Sequence, residues 1–446
     1  MSDFPSSKFE RGKIFAKTGL KVGSNYAKYH LQRALDKKDA EGRKKDLQSQ
    51  NANDMYKEFA KLRGTALKIA QSLSMDTSGL LSDEFIEVMT QSQYRVPPIN
   101  KALVRTIIKN ELGDYPEKLF KSFDTDAIAA ASIGQVHQAI LKDGRKVAIK
   151  IQYPNIRDTI QSDLTMAKVL FKRMMHGRNI DQYFQEVKDR LTEETDYTHE
   201  GKEIEFFANK YTSEKFITPR WVPELSTDKV LTMTFIDGQH LDAFLAADPS
   251  QEDRNLYGQL LWDFFHEQIN EAHTIHADAH PGNFMFTPER KLAILDFGCV
   301  KTFPVDFFYD YMYSLPAHIN GDPDELFRLY KKLEMLELSK RGKKKEQEYF
   351  QFFKDFGNAF IEPYKSETFD FSDPEFKRNL NFYVKKATSF DEPVGSKHFV
   401  YASRVHMGLY NMLMQLKAVV DTKKSLQIVY DFLNRNKHHS TVINEA

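Results

Sequence analysis

Residues 276–298 read HADAHPGNFMFTPERKLAILDFG and contain three oxygen-bearing side chains at informative spacings. Asn283 follows Asp278 by five positions, and Asp296 opens an Asp-Phe-Gly triplet further along. In phosphoryl-transfer enzymes one Asp orients or deprotonates the attacking group, while an Asn and a second Asp hold Mg²⁺. Mg²⁺ prefers oxygen ligands because it is a hard cation. The stretch therefore predicts a phosphoryl-transfer site with Asp278 as the catalytic residue and Asn283 and Asp296 as metal ligands.

A zinc site is an alternative interpretation of the same stretch. His276, Asp278 and His280 stand at every second position, and each could bind Zn²⁺. Such a site usually has further His or Cys ligands, but the only cysteine is Cys299 and no His-rich segment follows. A loop with chance polar residues explains the stretch less well, because a Pro-Gly pair fixes a turn within it. The zinc hydrolase stays open, and metal analysis of the purified protein would test it.

The composition limits the function classes that the chain can belong to. Its 446 residues predict two or three packed units. Lys and Arg together number 63, as do Asp and Glu, so the net charge gives no argument for a nucleic-acid partner. A single cysteine excludes an internal disulfide framework and fits a reducing compartment. Without a long apolar run or an apolar signal segment, we expect a cytoplasmic protein that can lie peripherally at a membrane.

The amino-terminal region is basic although the whole chain is neutral. Residues 1–50 hold twelve basic and six acidic side chains, and between Lys8 and Leu35 basic residues alternate with apolar ones. This pattern fits a helix on an anionic membrane surface, and it fits equally a helix with a solvated basic face. Residues 36–54 are charged and rich in Asn and Gln, which predicts a linker. Helical spacing resumes over Lys61–Met75, with apolar side chains at Leu62, Ala66, Ile69 and Leu73.

A predicted β-hairpin presents a lysine that needs an anionic partner. Asp143 and Gly144 supply the turn, and Lys146–Gln152 is the second strand. Lys150 lies among small and apolar residues of this strand, where a cation is costly unless it is paired. It is therefore a candidate for binding the α- and β-phosphates of a nucleotide. The alternative is a lysine on a solvated strand face.

The partner of this lysine is suggested by the helix that follows. Tyr197, Ile204 and Phe207 form an apolar stripe, and Glu200 occupies a position of that stripe where another apolar side chain is expected. An inward-facing glutamate needs a cation. We expect Glu200 to pair with Lys150, as strand and helix do in active kinases.

The remaining chain predicts a second, helical part. Residues 216–222 and 229–236 have the pattern of strands, and Gly238 is a natural crossover point. From residue 239 onward, apart from the catalytic stretch, aromatic-rich helical patterns dominate. We expect an amino-terminal segment and linker at 1–54, a helical extension at 55–123, and two lobes. The first lobe is 124–238, and the second, helical lobe, which carries the catalytic stretch, is 239–446.

Taken together, these motifs resemble the AarF/UbiB family of atypical protein-kinase-like proteins, whose mitochondrial members support coenzyme Q biosynthesis. The resemblance extends from about residue 8 to the Asp-Phe-Gly triplet and is weaker beyond it. Its most specific element is the alanine-rich loop AAAS at 129–132, which stands where other kinases have a glycine-rich phosphate loop. Sugar-phosphate and aminoglycoside kinases share the catalytic loop but lack the alanine loop and the helix before it. The resemblance implies an α+β, bilobal protein-kinase-like fold with a small β-rich lobe, a helical lobe and an added helical extension.

The resemblance also implies roles for individual residues. Asp278 and Lys150 would be catalytic, Asn283 and Asp296 would hold Mg²⁺, and a further set would bind ATP: Ala129, Ala130, Ala131, Ser132, Val136, Lys150 and Glu200. Lys68 and Gln71 match the family's Lys-x-Gly-Gln signature, and Glu194 and Asp196 match its Glu-x-Asp signature; both would be regulatory. The signature glycine is Ala70 here, and the added methyl alters how closely that helix approaches the cleft.

Two hypotheses of different classes follow. The first is an ATP-binding enzyme, either a Mg²⁺-dependent ATPase or a kinase of small molecules or lipids, with a lipid or quinone precursor as partner. The second is a non-catalytic scaffold or lipid-binding chaperone that is switched by nucleotide. All catalytic positions are present, which favours the enzyme.

Overall fold

The computed structural model describes residues 8–35, 40–62, 69, 99–130, 133–174, 181–271, 274–336, 338–387 and 395–439. The fold is α+β, as predicted. The chain divides into two compact units, which are Met1–Glu205 with Arg220–Phe235 and Phe206–Pro219 with Ile236–Ala446. No helix within the described ranges is both long and apolar enough to cross a bilayer.

The first unit combines helices with one antiparallel sheet. Its helices are α1 (Lys8–Leu35), α2 (Ala40–Leu62), α3 (Lys101–Leu112), α4 (Pro116–Leu119), α5 (Ile156–Met174), α6 (Asp181–Glu194) and α7 (Tyr197–Tyr211), and the division between the units falls within α7. Its strands are β1 (Ser122–Phe123), β2 (Ala129–Ala130), β3 (Gly134–Ile140), β4 (Lys146–Gln152) and β6 (Val230–Thr234).

The second unit is mostly helical. Its helices are α8 (Leu241–Ala246), α9 (Gln251–Glu267), α10 (Val305–Asn320), α11 (Pro323–Lys332), α12 (Leu338–Phe360, interrupted at Gly342), α13 (Pro374–Ala387), α14 (Lys397–Leu416) and α15 (Lys423–Arg435). Its strands are β5 (Phe216–Ile217), β7 (Thr274–His276), β8 (Phe284–Phe286), β9 (Leu292–Ile294), β10 (Val300–Thr302), β11 (Thr368–Asp370) and β12 (Val419–Asp421).

The sheet of the first unit carries the predicted hairpin. Its strand order is β1-β3-β4-β6, and β2 pairs with β3. The strand over Lys146–Gln152 has the predicted bounds, and the turn at Asp143-Gly144 is present. Both faces of this strand are buried, which places Lys150 in a largely apolar environment.

The prediction of a linker at 36–54 is wrong for residues 40–54, which lie in α2. This helix has few apolar residues, but Leu47, Met55 and Phe59 recur at helical spacing and are buried. A buried hydrogen bond from Asn25 of α1 to Asn51 of α2, 2.9 Å long, supplies contact that apolar side chains usually provide. The polar composition was therefore a poor guide, because the interface between α1 and α2 is itself partly polar.

The predicted lobe boundaries also differ from the observed units. Residues 206–219 lie within the predicted amino-terminal lobe 124–238 but belong to the second unit. The reason is that β5 pairs in parallel with β9, where Phe216 lies opposite Leu292. The predicted strand at 216–222 is confined to Phe216–Ile217, and the one at 229–236 to Val230–Thr234.

Candidate active site

The predicted ion pair between Lys150 and Glu200 is present in the first unit. The Lys150 Nζ donates hydrogen bonds to both carboxylate oxygens of Glu200, at 2.8 and 3.0 Å. Lys150 is 8% exposed and Glu200 is 2% exposed. The amine also lies 5.1 Å from the centre of the Tyr197 ring, within the range of a cation-π contact. A buried cation is thus held at the middle of β4.

Glu200 owes its position to the start of α7. Asp196 caps this helix, because its carboxylate accepts a hydrogen bond from the backbone N–H of His199 at 3.0 Å. The Asp196 carbonyl also accepts from the N–H of Glu200. Glu194 is the last residue of α6. The Glu-x-Asp signature therefore spans the junction of α6 and α7, and its aspartate has a structural role that the sequence had not indicated.

The described part of the alanine loop has an extended backbone. Ala129 and Ala130 form β2 and lie opposite Val136 and Gln135 of β3. Neither alanine has a positive φ, so the loop at these residues does not use the conformation that glycine favours. Val136 lies opposite Lys150 in the next strand pair, so the sheet register connects the loop to the lysine. Ala131 and Ser132 fall outside the described residues, as do Lys68, Ala70 and Gln71.

Two short antiparallel strand pairs bring the catalytic stretch together in the second unit. In the first pair His276 lies opposite Val300, and the N–H of Ala277 donates to the Cys299 carbonyl at 2.8 Å. In the second pair β8 follows Asn283 directly, and the N–H of Leu295 donates to the Asn283 carbonyl at 2.9 Å. Asp278, Asn283 and Asp296 are the residues that lie beside these contacts, so strand register places all three in one part of the unit.

The side chains of Asp278 and Asn283 are in direct contact. The Asn283 amide Nδ2 donates to the Asp278 carboxylate at 2.9 Å and to the Asp278 carbonyl at 3.1 Å. Since the NH₂ group is used in this way, the amide oxygen is the atom of Asn283 that is left to accept a hydrogen bond or meet a cation. The carboxylate of Asp296 accepts from the N–H of Gly298 at 2.9 Å. An amide oxygen and a carboxylate suit Mg²⁺, which is usually held by one or two carboxylates together with substrate phosphates.

The buried side chain of His276 holds the Asp-Phe-Gly segment through a hydrogen bond. Its Nε2 donates to the backbone carbonyl of Asp296 at 2.6 Å, and its N–H donates to the Gln268 side chain at 2.7 Å. Burial lowers the pKa of His276, although the nearby Asp296 and Asp278 act in the opposite direction. The ring is therefore neutral at pH 7 and acts as a hydrogen-bond donor to the backbone of a proposed metal ligand.

Sequence reasoning missed the residues that hold the loop around the candidate residue Asp278 in place. Gly408 of α14 packs directly on Ala279, since a Cβ at Gly408 would overlap the Ala279 carbonyl oxygen and lie 2.7 Å from its Cβ. A glycine inside the apolar helical run of α14 was the available signal for such a close approach. Gln268 gave no signal, because its partner is a backbone group eight residues away.

The zinc alternative receives no support from the described residues. Within them, no group of three or more His, Cys, Asp or Glu side chains is arranged to hold a metal ion. The ring of His280 accepts from the N–H of Gly282 at 3.0 Å, so this histidine is part of the turn.

Comparison with known proteins decides the family. The model of the ABC1 atypical kinase-like domain matches residues 91–330. The chain belongs to the ABC1 atypical kinase-like family. This confirms the resemblance to AarF/UbiB proteins, and with it the bilobal kinase-like fold. Kinase-like function and the use of ATP are general properties of this ABC1 family.

Two relatives of this ABC1 chain, both from eukaryotes, are named as kinases. The probable serine/threonine-protein kinase abkA of Dictyostelium discoideum is 30% identical over 349 residues, which are 74% of this chain and 62% of that protein. The mitochondrial atypical kinase COQ8 of Saccharomyces cerevisiae is 29% identical over 315 residues, which are 70% of this chain and 62% of that one. The chain thus spans less than two thirds of the length of these relatives.

A solved structure shares the fold of this ABC1 chain. Rv3197 of Mycobacterium tuberculosis, solved as a complex with erythromycin, is 26% identical with a TM-score of 0.58. The match covers 87% of this chain and 97% of that one.

Proposed function

We propose that this chain binds ATP with Mg²⁺ and transfers or releases its terminal phosphate, as an ATPase or as a kinase of a small molecule or lipid. The observation that carries the proposal is the buried ion pair between Lys150 and Glu200. The same pair is required in active protein kinases, where the lysine contacts the nucleotide phosphates. Membership of a kinase-like family supports this assignment.

Each candidate residue has a distinct task in this proposal. Lys150 binds the α- and β-phosphates, and Glu200 holds its amine in place. Asp278 accepts a proton from the attacking hydroxyl or water, or orients it, and Asn283 fixes the Asp278 carboxylate through a hydrogen bond. Asn283 and Asp296 are the residues that would hold Mg²⁺, which neutralises charge on the transferred phosphoryl group when bound. Ala129–Ser132 and Val136 would line the nucleotide site.

A phosphate-release assay with Asp278→Asn tests the proposal. Wild-type protein should release phosphate from ATP with Mg²⁺ and lose this activity when Mg²⁺ is chelated. Asp278→Asn should abolish turnover while nucleotide binding stays within a few-fold, because the proposed metal ligands and Lys150 remain. Asp431→Asn, an exposed carboxylate on α15, is the matched control.

The outcomes separate the proposal from its alternative. Turnover retained in Asp278→Asn would show that another residue is the base. Binding of nucleotide by the wild type without any phosphate release, together with nucleotide-dependent association with lipid or protein, would support the switched scaffold instead.

We also propose that the acceptor or regulator is a membrane lipid or quinone precursor, and that α1 is the surface that meets the membrane. Phe9, Leu20 and Leu31 are 72%, 76% and 63% exposed. They are eleven residues apart, about three helical turns, so they lie on one face. The exposed Lys13 lies on this face with its amine 4.5 Å from the centre of the Phe9 ring, and the exposed Lys17 lies beside it, so the face carries positive charge that can meet anionic lipids.

Membership of the AarF/UbiB family supports the quinone part of the proposal. The test is phosphate release with and without anionic vesicles that contain quinone-like lipids. Stimulation by these vesicles, compared with neutral vesicles of the same lipid content, is the expected result. No stimulation by either would contradict a lipid-linked role.

A further inference from the structure

The ion pair between Lys150 and Glu200 depends on where α7 lies against the sheet, because the two charges come from different elements. Glu200 stands in the first turn of α7, so any shift or rotation of this helix moves its carboxylate. In enzymes a displacement of about 1 Å can cost roughly 100-fold in rate. The contacts that fix α7 at this level therefore bear directly on the proposed reaction.

Gly201, the residue after Glu200, leaves a gap in the surface of α7 that Trp221 fills. A Cβ on Gly201 would lie 2.6 Å from the indole Nε1 and 2.7 Å from Cδ2, distances that real Cβ atoms essentially never show. The ring thus rests on the helix backbone itself. The indole N–H has no hydrogen-bond acceptor within the described part of the chain, so packing sets the position of the ring.

Trp221 is carried by the same sheet as the lysine. It forms an antiparallel bridge with Met233 of β6, and backbone hydrogen bonds of 2.8 and 2.9 Å on either side hold it there. β6 in turn pairs with β4, where Leu231 lies opposite Lys150. The indole therefore connects the sheet that holds the lysine to the helix that holds the glutamate.

A second contact joins this segment to α7 one turn beyond the glycine. The backbone N–H of Trp221 donates to the Glu205 carboxylate at 2.8 Å, and the Arg220 guanidinium lies 3.3 Å from the other oxygen of that carboxylate. Glu205 and Gly201 are four residues apart and so share one helix face. Two contacts on one face, a turn apart, fix the position of the helix along its axis and its rotation about that axis.

We propose that Trp221 and Gly201 are a positioning pair that sets the reach of Glu200 toward Lys150. The inference rests on the proposed function for its effect on turnover, but the geometry can be tested without it. Only a hydrogen atom fits at position 201 while the indole is in place, so Trp221 can take this position only against a glycine.

Four variants test the pair through phosphate release. Gly201→Ala and Trp221→Ala should lower kcat/KM for ATP by about 10- to 100-fold, because the helix moves away from the lysine. Trp221→Phe keeps an aromatic ring over the gap and should stay within about threefold of wild type. Gly258→Ala is the matched control, since a Cβ there would overlap Ala418 in the second unit and overpack a different helix.

A double-mutant cycle separates positioning from a general loss of stability. In a Glu200→Gln background, Gly201→Ala should cause little further loss, because the carboxylate that it positions is gone. Whatever loss Gly258→Ala causes should instead multiply with that of Glu200→Gln. If the two losses at Glu200 and Gly201 multiply in the same way, the inference is wrong.

The reactivity of Lys150 provides a readout that needs no turnover. Acylation of Lys150 by an amine-reactive ester, measured by mass spectrometry against the exposed Lys437, should rise several-fold in Gly201→Ala and Trp221→Ala. Glu200→Gln should give the same increase. If the wild type releases no phosphate, the proposed function fails but this labelling still decides the inference. Unchanged labelling of Lys150 in both variants would overturn it.

Discussion

At the scale of single residues, the buried pair of Lys150 and Glu200 requires an explanation beyond stability. Taking two charges out of water is costly, and apolar replacements for such pairs often leave a protein equally stable or more so. Removing only one partner is strongly destabilising, because it leaves an uncompensated buried charge. Phosphate binding by the lysine supplies a reason for keeping both charges in the sheet.

This energetic asymmetry gives a prediction for the pair. Lys150→Met or Glu200→Gln alone should lower the free energy of unfolding by about 3–5 kcal/mol, and the double variant should lose less than the sum. All three should release phosphate far more slowly than the wild type, at a residual rate that can still be measured. Urea unfolding followed by circular dichroism measures the first effect.

An exposed pair provides the control. Lys118 and Asp114 lie 3.1 Å apart, with the lysine 72% exposed, so Lys118→Met should change the free energy of unfolding by less than about 1 kcal/mol. Strictly additive losses at Lys150 and Glu200 would contradict the coupling that the buried pair predicts.

At the scale of elements, two segments carry the distinctive features of the chain. One is β2, where alanines form an extended strand in the segment that we propose lines the nucleotide site. The other is α1, whose Phe15 and Val22 are buried against the first unit while its opposite face is apolar and exposed. A helix with apolar side chains on two faces can bury the second face against another apolar surface.

Replacement of one loop alanine should change the affinity for nucleotide. Ala130→Gly admits positive φ, so the backbone can turn an N–H toward the phosphates, and ATP affinity should rise about 2- to 10-fold, the effect of one backbone hydrogen bond. The preference between ADP and ATP should shift with it. Fluorescence titration with both nucleotides measures this, and the melting temperature without nucleotide controls for added backbone freedom. Identical affinities in variant and wild type would count against the role assigned to the loop.

The exposed face of α1 should control vesicle binding. Replacing Phe9, Leu20 and Leu31 together by Ser should weaken co-sedimentation with anionic vesicles at least about tenfold, because each large apolar side chain contributes roughly 1.5–3 kcal/mol when buried. The matched control replaces three exposed apolar residues of other helices by Ser, namely Ile319, Phe382 and Tyr430. Equal weakening in both triple variants would show that general surface apolarity, and not α1, governs binding.

At the scale of the whole molecule, buried histidines link stability to pH. Burial is the main cause that lowers the pKa of five of them, which are His137, His266, His276, His318 and His406. For His266 burial lowers the pKa to about 3, although the hydrogen bond to the Trp262 carbonyl acts in the opposite direction. These rings stay neutral in the folded protein where the unfolded chain takes up protons.

The sign of the pH effect follows from this difference. Below the unfolded pKa of about 6.5 the unfolded chain binds more protons than the folded one, so stability falls as pH falls. Between pH 6.5 and 5.5 His266 alone should cost about 1 kcal/mol of unfolding free energy. Urea unfolding at several pH values measures the slope.

Substitution identifies the contribution of one ring. His266→Gln should flatten the slope below pH 6.5, and His438→Gln, at an exposed position, controls for the loss of one histidine from the unfolded chain. A slope that His266→Gln leaves unchanged would assign the acid sensitivity to other groups.

Local pattern was sufficient for the elements that carry the chemistry. The turn at Asp143-Gly144 and the alternation after it predicted β4 with its bounds, and one glutamate in an apolar stripe predicted the partner of Lys150. The same reasoning failed for residues 40–54. The polar composition of these residues indicated a linker, whereas they form a helix that contacts α1. Propensity is a weak guide where a neighbour from elsewhere in the chain completes the interface.

The sequence by itself determined which side chains have the chemistry for phosphate and metal, because residue type and short spacing are local properties. Only the tertiary structure decided how they are held. The register of two short strand pairs sets Asn283 against Asp278, and an indole from residue 221 rests on the glycine beside Glu200. Register and close packing join segments far apart in the chain, and no local pattern specifies which distant partner will fit.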